Sequence, residues 1–221
     1  MKFEKIYNKG QAQIFANPYF ELLTKTHPLV IWGMYIPVMI GFPYYAMQKF
    51  GISASISFAA LLTGMFFWTF FEYFVHRFVF HLITDTQTGK RIVYILHGNH
   101  HEYPRDRERL FMPPVPSLII SSVIFGLMYL FMSEYAFLFF PGFIFGYLMY
   151  GTMHYAIHAW NPPFKWMKPL WRNHHLHHYK DEEKGFGVST TLWDRFFGTM
   201  FDLQKEKEDK EKVKGLMFEK R

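Results

Sequence analysis

Ten of the twelve histidines in this 221-residue chain fall into four short clusters whose spacing suits metal ligation. His76 pairs with His81, and His154 with His158. His97, His100 and His101 form one triplet, and His174, His177 and His178 another. On a helix, positions i, i+3 and i+4 share a face, so each triplet can aim its rings at one place, as can His154 and His158. His175 lies about 100° around from His174 and is expected to face away, as a supporting or surface residue. His76 and His81 stand about 140° apart on a regular helix, so a helix end or a bulge is needed between them. A lone histidine is usually a satisfied core residue, and a histidine run can bind metal adventitiously. Four spaced clusters fit neither description. His27 has no cluster and is read as an interfacial residue.

All-imidazole sites suit zinc, iron, copper or nickel. Ten ligands exceed what one tetrahedral ion can use, so two metal ions with open positions are expected. The absence of cysteine excludes thiolate ligands, disulfides and a cysteine nucleophile. Sixteen positions separate His81 from His97, and again His158 from His174. That repetition implies two half-sites of five histidines, residues 76–101 and residues 154–178. Metal-bound imidazoles donate their second N–H to a carboxylate or carbonyl. Glu72, one helical turn before His76 in an apolar stretch, is the first candidate for that role. Asp106, Tyr155 and Asp194 are weaker ones, with loop and capping roles as the alternative.

The elements that must position these rings are membrane helices. Half of the residues are hydrophobic and 27 are Phe, gathered in long blocks. A spanning helix needs roughly 20 mostly apolar residues, which predicts spans over 28–50, 52–75, 117–132 and 135–159. The fold class expected is an all-α integral membrane protein, with four transmembrane helices in two hairpins and a cytoplasmic helical cap holding the dimetal site. Of 24 Lys and Arg, 23 fall outside the hairpin turns and only Lys49 lies opposite, which places both termini and the histidines in the cytoplasm. The net charge of +6 then reads as attraction to the membrane surface rather than to nucleic acid. The first twenty residues lack an apolar core, so no cleavable signal peptide is expected. A single domain is expected over 1–200, followed by a charged tail over 201–221, read as a solvated helix or disorder.

Further motifs surround the histidines. Glu72-Tyr-Phe-Val-His76-Arg-Phe-Val-Phe-His81 leads in. His97-Gly-x-His-His101 is followed by Pro104, Asp106, Arg109-Leu110 and Pro113-Pro114, and His154-Tyr155-x-x-His158 comes later. Gly185-Phe-Gly187 precedes Trp193-Asp194 and Phe197-Gly198-Thr199. At these residues the chain resembles the fatty acid hydroxylase superfamily, histidine-rich membrane relatives of the sterol desaturases. It is most similar to the fatty acid 2-hydroxylases that act on sphingolipids, over roughly residues 17–200. The resemblance implies that the ten clustered histidines bind two metal ions and that a long acyl chain is hydroxylated at C2 with O2, commonly the amide-linked chain of a ceramide.

Oxygen chemistry makes iron the metal expected for activity, with zinc possible in a purified sample. The metal centre itself carries the reaction, and no separate side chain is assigned as acid, base or nucleophile. Eukaryotic relatives often carry an N-terminal cytochrome b5 domain, whereas 27 residues precede the first expected span. A separate electron-transfer protein, of cytochrome b5 or ferredoxin type, is therefore expected, and a bacterial inner membrane is favoured over the endoplasmic reticulum. Gly151 stands where the family often has Asp, which removes one possible carboxylate near the ligands. Two rival readings remain: a sterol-type or other lipid desaturase or hydroxylase of the same superfamily, and a membrane metal transporter. Transporters place ligands near the bilayer midplane, whereas these histidines lie at span ends.

Overall fold

The computed structural model describes residues 6–202 together with Glu211, Lys214 and Gly215. The expectation for the charged tail falls mostly outside the described residues. The described residues are helical and contain no strand. They divide into two compact units, each assembled from separated segments of the chain.

The apolar unit comprises residues 15–70 and 111–152. It opens with the short α1, Pro18–Leu22, capped by Asn17, whose side chain accepts from the Tyr19 amide. Next comes α2, Pro28–Phe50, with Pro28 at the first helical position, where its missing N–H costs nothing. His27, expected only to sit at an interface, caps this helix by accepting the Leu29 amide on Nδ1 at 3.3 Å. The helix stops at Gly51, which adopts the left-handed conformation with φ 66°. Helix α3 follows over Ala54–Val75.

In the histidine unit, made among the described residues of 6–14, 71–110 and the segment from 153 onward, α4 covers Gln87–Val93 and α5 covers Asn99–Glu102. The chain returns to the apolar unit for α6, Pro114–Met132, which starts three residues earlier than its apolar run because Pro114 suits a first helical position. Helix α7, Ala136–Ala159, begins in the apolar unit and ends in the histidine unit, as α3 does. Helices α8, Lys168–Tyr179, and α9, Leu192–Phe196, complete the histidine unit.

Three apolar stretches are long enough to cross a membrane: Pro28–Phe50, Ala54–Phe80 and Arg107–Ala159. The third contains both α6 and α7, and its helical path is broken at Ser133, whose φ is 49°. Close packing of α3 against α7 depends on small residues. A Cβ added at Gly142 would lie 2.0 Å from the Leu61 carbonyl oxygen, and one at Gly64 would lie 2.1 Å from that of Phe139. Without a hydrophobic drive between helices in lipid, such backbone approach is what binds them. Rings fill the remaining space, with Trp68 edge-on to Phe143 at 4.9 Å. A buried polar knot also ties α2 to α6, where the Tyr35 hydroxyl contacts Ser117 Oγ at 2.8 Å and Ser121 Oγ at 2.9 Å.

The histidine unit begins with residues 6–14, which run along it as a strap. The Tyr7 amide donates to the Glu102 carbonyl at 2.7 Å, and the Ala12 amide donates to Asp106 Oδ2 at 3.2 Å. Tyr179 donates its hydroxyl to Asn8 Oδ1 at 2.6 Å. The strap therefore touches the residues that directly follow His101 and His178.

Candidate metal centre

Residues 76–80 form a π-turn at the end of α3, closed by the His81 amide donating to the His76 carbonyl at 3.2 Å. An i to i+5 bond brings residue 81 back over residue 76. The bulge required by the five-residue spacing is therefore present, and both rings enter one cluster. A second π-turn over residues 94–98 leads into α5 and carries His97. His154 and His158 lie one turn apart in α7, and α8 presents His174, His177 and His178.

The ten rings collect in two groups, each with its ligand nitrogens within 4.8 Å of one another. One group is His76, His81, His97, His101 and His177. The other is His100, His154, His158, His174 and His178. This corrects the expected division into residues 76–101 and 154–178, because His100 and His177 are exchanged between the halves. The reason lies in helix geometry: i and i+4 point almost the same way, while i+3 points to the other side of that direction. His97 and His101 therefore serve one group while His100 reaches the other. His174 and His178 stay together while His177 crosses.

Within the first group the Nε2 atoms of His76 and His97 are 3.0 Å apart, as are those of His97 and His101. His177 Nε2 lies 3.1 Å from those of His81 and His101. In the second group the separations are 2.8 Å for His100 and His154, 2.9 Å for His158 and His174, and 3.1 Å for His174 and His178. A carbonyl oxygen can only accept. His76 Nδ1, 2.6 Å from the Phe186 carbonyl, therefore carries the proton, as do His177 Nδ1 at 2.7 Å from Lys184 and His154 Nδ1 at 3.3 Å from Leu110. Neutral rings so protonated turn bare Nε2 lone pairs into the clusters. Nitrogens about 2.0–2.1 Å from a shared ion stand about 3 Å apart when adjacent and about 4 Å apart when opposite. Both groups fit an imidazole-bound ion on these grounds.

Burial keeps the rings in the neutral form that binds metal. It holds His97, His100, His101, His174, His177 and His178 well below the ordinary imidazole range, with neighbouring imidazoles adding to the effect. Burial and then His76 push His81 down to about 2. Aromatic rings line the first group: Phe80 stacks on His97 at 5.0 Å, and Phe186 meets His76, His81 and His177 edge-on.

None of the four proposed supporting side chains hydrogen bonds to a clustered imidazole among the described residues. Glu72 is buried, but its Oε1 accepts the Val188 and Ser189 amides at 2.7 and 2.9 Å and its Oε2 accepts the Ser189 hydroxyl. The carboxylate is committed to the loop after α8 and reaches the metal centre only through it. Asp194 is committed in the same way. It accepts the Phe186 amide at 3.0 Å, the Gly187 amide at 2.8 Å, the Thr199 hydroxyl at 2.8 Å and the Asn173 side-chain amide at 3.2 Å. Asp106 caps the short turn after it and accepts Arg109 at 2.5 Å, so the capping alternative holds for it. Tyr155 packs its ring on Trp160. His175 belongs to neither group, as expected, yet it is buried, with Nδ1 held 2.6 Å from the Trp171 carbonyl.

The groups that do orient clustered rings are the carbonyls of Phe186, Lys184 and Leu110, which no side-chain pattern announces. The Gly185-Phe-Gly187 motif was the available signal. A Cβ at Gly187 would lie 2.1 Å from the Thr190 carbonyl oxygen, so glycine lets the loop fold tightly enough to face its carbonyls toward His76 and His177. At Gly151 a Cβ would meet the Phe111 ring at 2.4 Å. The ring occupies the space that a carboxylate there would need.

The fatty acid hydroxylase family profile matches residues 61–199. The chain is 33% identical over 198 residues to a dihydroceramide fatty acyl 2-hydroxylase of Arabidopsis thaliana, covering 89% of this chain and 83% of that protein. It is 36% identical over 200 residues to a ceramide very long chain fatty acid hydroxylase of Saccharomyces cerevisiae, covering 87% of this chain and 50% of that one. The chain thus spans half the length of its yeast relative. The solved structure of full-length scs7p, in which only the hydroxylase domain is visible, superposes with a TM-score of 0.80 at 33% identity, covering 87% of this chain and 73% of that one. Ten converging imidazoles, apolar membrane helices and these likenesses agree: the chain belongs to the fatty acid hydroxylase family.

Proposed function

We propose that this protein hydroxylates C2 of a long acyl chain, and that the ten histidines are the ligands of its two metal ions. The observation that carries the reading is the pair of five-nitrogen groups in a chain whose relatives are fatty acyl 2-hydroxylases. Iron at these positions would supply the one-electron chemistry that O2 activation needs. The protein's part is ligation, orientation and exclusion of water. Phe186 and Lys184 carbonyls hold the Nδ1 protons of His76 and His177, so both rings keep their lone pairs on the inner side. Phe80 and Phe186 keep water from the first group. No side chain is required as nucleophile.

The same reading assigns the substrate as an acyl chain, amide-linked as in the ceramides named for the relatives, and the electron source as a separate redox protein. It makes α2, α3, α6 and α7 four spans in two hairpins, with both termini and the clustered histidines cytoplasmic. The break at Ser133 and the placement of 23 of 24 Lys and Arg support that arrangement. Lipid mass spectrometry of a host with and without the gene, together with metal analysis of the purified protein, tests the assignment. The expected result is new 2-hydroxylated acyl chains that disappear with His100→Ala or His177→Ala. Undiminished product in either variant overturns it.

A further inference from the structure

The two histidine groups differ in what stands behind their rings. In the group around His81, two rings are held by carbonyls at short distance, His76 by Phe186 at 2.6 Å and His177 by Lys184 at 2.7 Å. In the group around His158, His154 is held by Leu110 at 3.3 Å, and the buried Nδ1 atoms of His174 and His178 have no hydrogen-bond partner among the described residues.

One of the short contacts is also backed by a carboxylate. The Phe186 carbonyl and the Gly187 N–H belong to the same peptide unit, and that N–H donates to Asp194 Oδ2 at 2.8 Å. A continuous line therefore runs from the Asp194 carboxylate through the 186–187 peptide to His76 Nδ1 and across the ring to Nε2. A carboxylate on the N–H polarises the amide, and a polarised amide is a stronger acceptor at its carbonyl, because hydrogen bonds in series reinforce one another. A stronger acceptor at Nδ1 makes the ring a better donor at Nε2. The parallel line behind His177 ends on a neutral group, since the Gly185 amide donates to the Thr199 carbonyl at 2.9 Å.

We propose that the two metal sites are unequal, the five histidines around His81 binding their ion more tightly than the five around His158, with Asp194 as the positioning residue that makes the difference. The proposal rests on the ligand assignment above and adds an order of occupation to it. A protein given one equivalent of metal fills the His81 site first. Chelation empties the His158 site first.

The test uses the full chain in detergent, stripped of metal and titrated with cobalt(II) alone, read by visible absorption and by metal content. Two dissociation constants at least tenfold apart are expected. His158→Ala should retain the tighter one and His81→Ala only the weaker. Asp194→Asn should weaken the tighter constant by about tenfold, the low end of the range for groups that bond a metal ligand directly, since it acts through a peptide, and leave the weaker one unchanged. Thr199→Val removes another bond to Asp194 while leaving the line to His76 intact, so it should lower thermal stability without moving the tighter constant.

Equal constants in the unaltered protein, or retention of the tighter one by His81→Ala, overturn the proposal. So does an equal shift of the tighter constant in Thr199→Val and Asp194→Asn. If Asp194→Asn does not fold, the order of constants in the two histidine variants decides. Failure of the ligand assignment looks different: cobalt would bind equally well with either histidine replaced.

Discussion

Glu72 Oε1 and the Val188 amide lie 2.7 Å apart although 116 positions separate them in sequence, so the end of α3 and the loop after α8 share one buried carboxylate. Replacing Glu72 by Ala strands the Val188 and Ser189 amides and should cost about 1–3 kcal/mol for each one left unsatisfied. Glu72→Gln keeps an oxygen for those amides and should stay near the parent. Thermal melts of the two variants check this, with the Ala variant melting well below the Gln variant.

Exchange of His100 and His177 between the halves predicts an unusual grouping of variants. His177→Ala should lose the same metal ion as His97→Ala, and His100→Ala the same as His174→Ala. In each case metal content should fall from about two ions per chain to about one, a closed site of this kind needing most of its ligands. Metal analysis and the spectrum of the ion retained distinguish this pattern from one divided at the middle of the sequence.

Gly142 meets a carbonyl where α3 and α7 cross, so Gly142→Ala should cost about 1–3 kcal/mol through overpacking. Gly126→Ala in α6, where a Cβ would find no atom within 4 Å, should be tolerated. Yield of folded protein and melting temperature in detergent compare the two.

Acid should destabilise the metal-free protein. His97, His100, His101, His174, His177 and His178 are held well below the ordinary range by burial, whereas an unfolded chain protonates them at about pH 6.5. Below that pH the unfolded state carries more protons, so stability is full above about pH 6.5 and falls as pH is lowered. Melts at decreasing pH should show a falling midpoint, and an unchanged one would contradict neutral burial of these rings.

The chain has no cysteine, which makes single-cysteine labelling direct. With four spans, a cysteine at Glu134 and one at Trp166 should be labelled from opposite sides of intact vesicles. Labelling from the same side would mean that α6 and α7 do not form a membrane hairpin.

Spacing alone identified all ten clustered histidines and the need for a bulge between His76 and His81, because ligand geometry and helical period are both local. The bounds of α2 were legible for the same reason, with Pro28 and Gly51 marking its two ends, whereas α6 begins three residues before its apolar run. The division of ligands was not legible. Whether His100 follows His101 or crosses to His154 depends on where α7 and α8 lie, and no local pattern contains that. What stands directly behind the rings was not legible either, since backbone carbonyls do that work and every residue has one; Asp194 reaches His76 only through the 186–187 peptide. Glu72 stands out in the sequence as an acid in an apolar stretch and Asp194 only as a weaker candidate, but both accept amides of a loop whose fold depends on Gly187.

The crossed ligands have a consequence for how the protein can be divided. Cut between residues 102 and 153, the chain yields two pieces with five clustered histidines each, matching the repeat visible in the sequence. Neither piece contains a complete group, for each holds four rings of one and a single ring of the other. The repetition is one of pattern and not of parts, and the smallest unit able to hold even one ion with all five nitrogens is the joined pair.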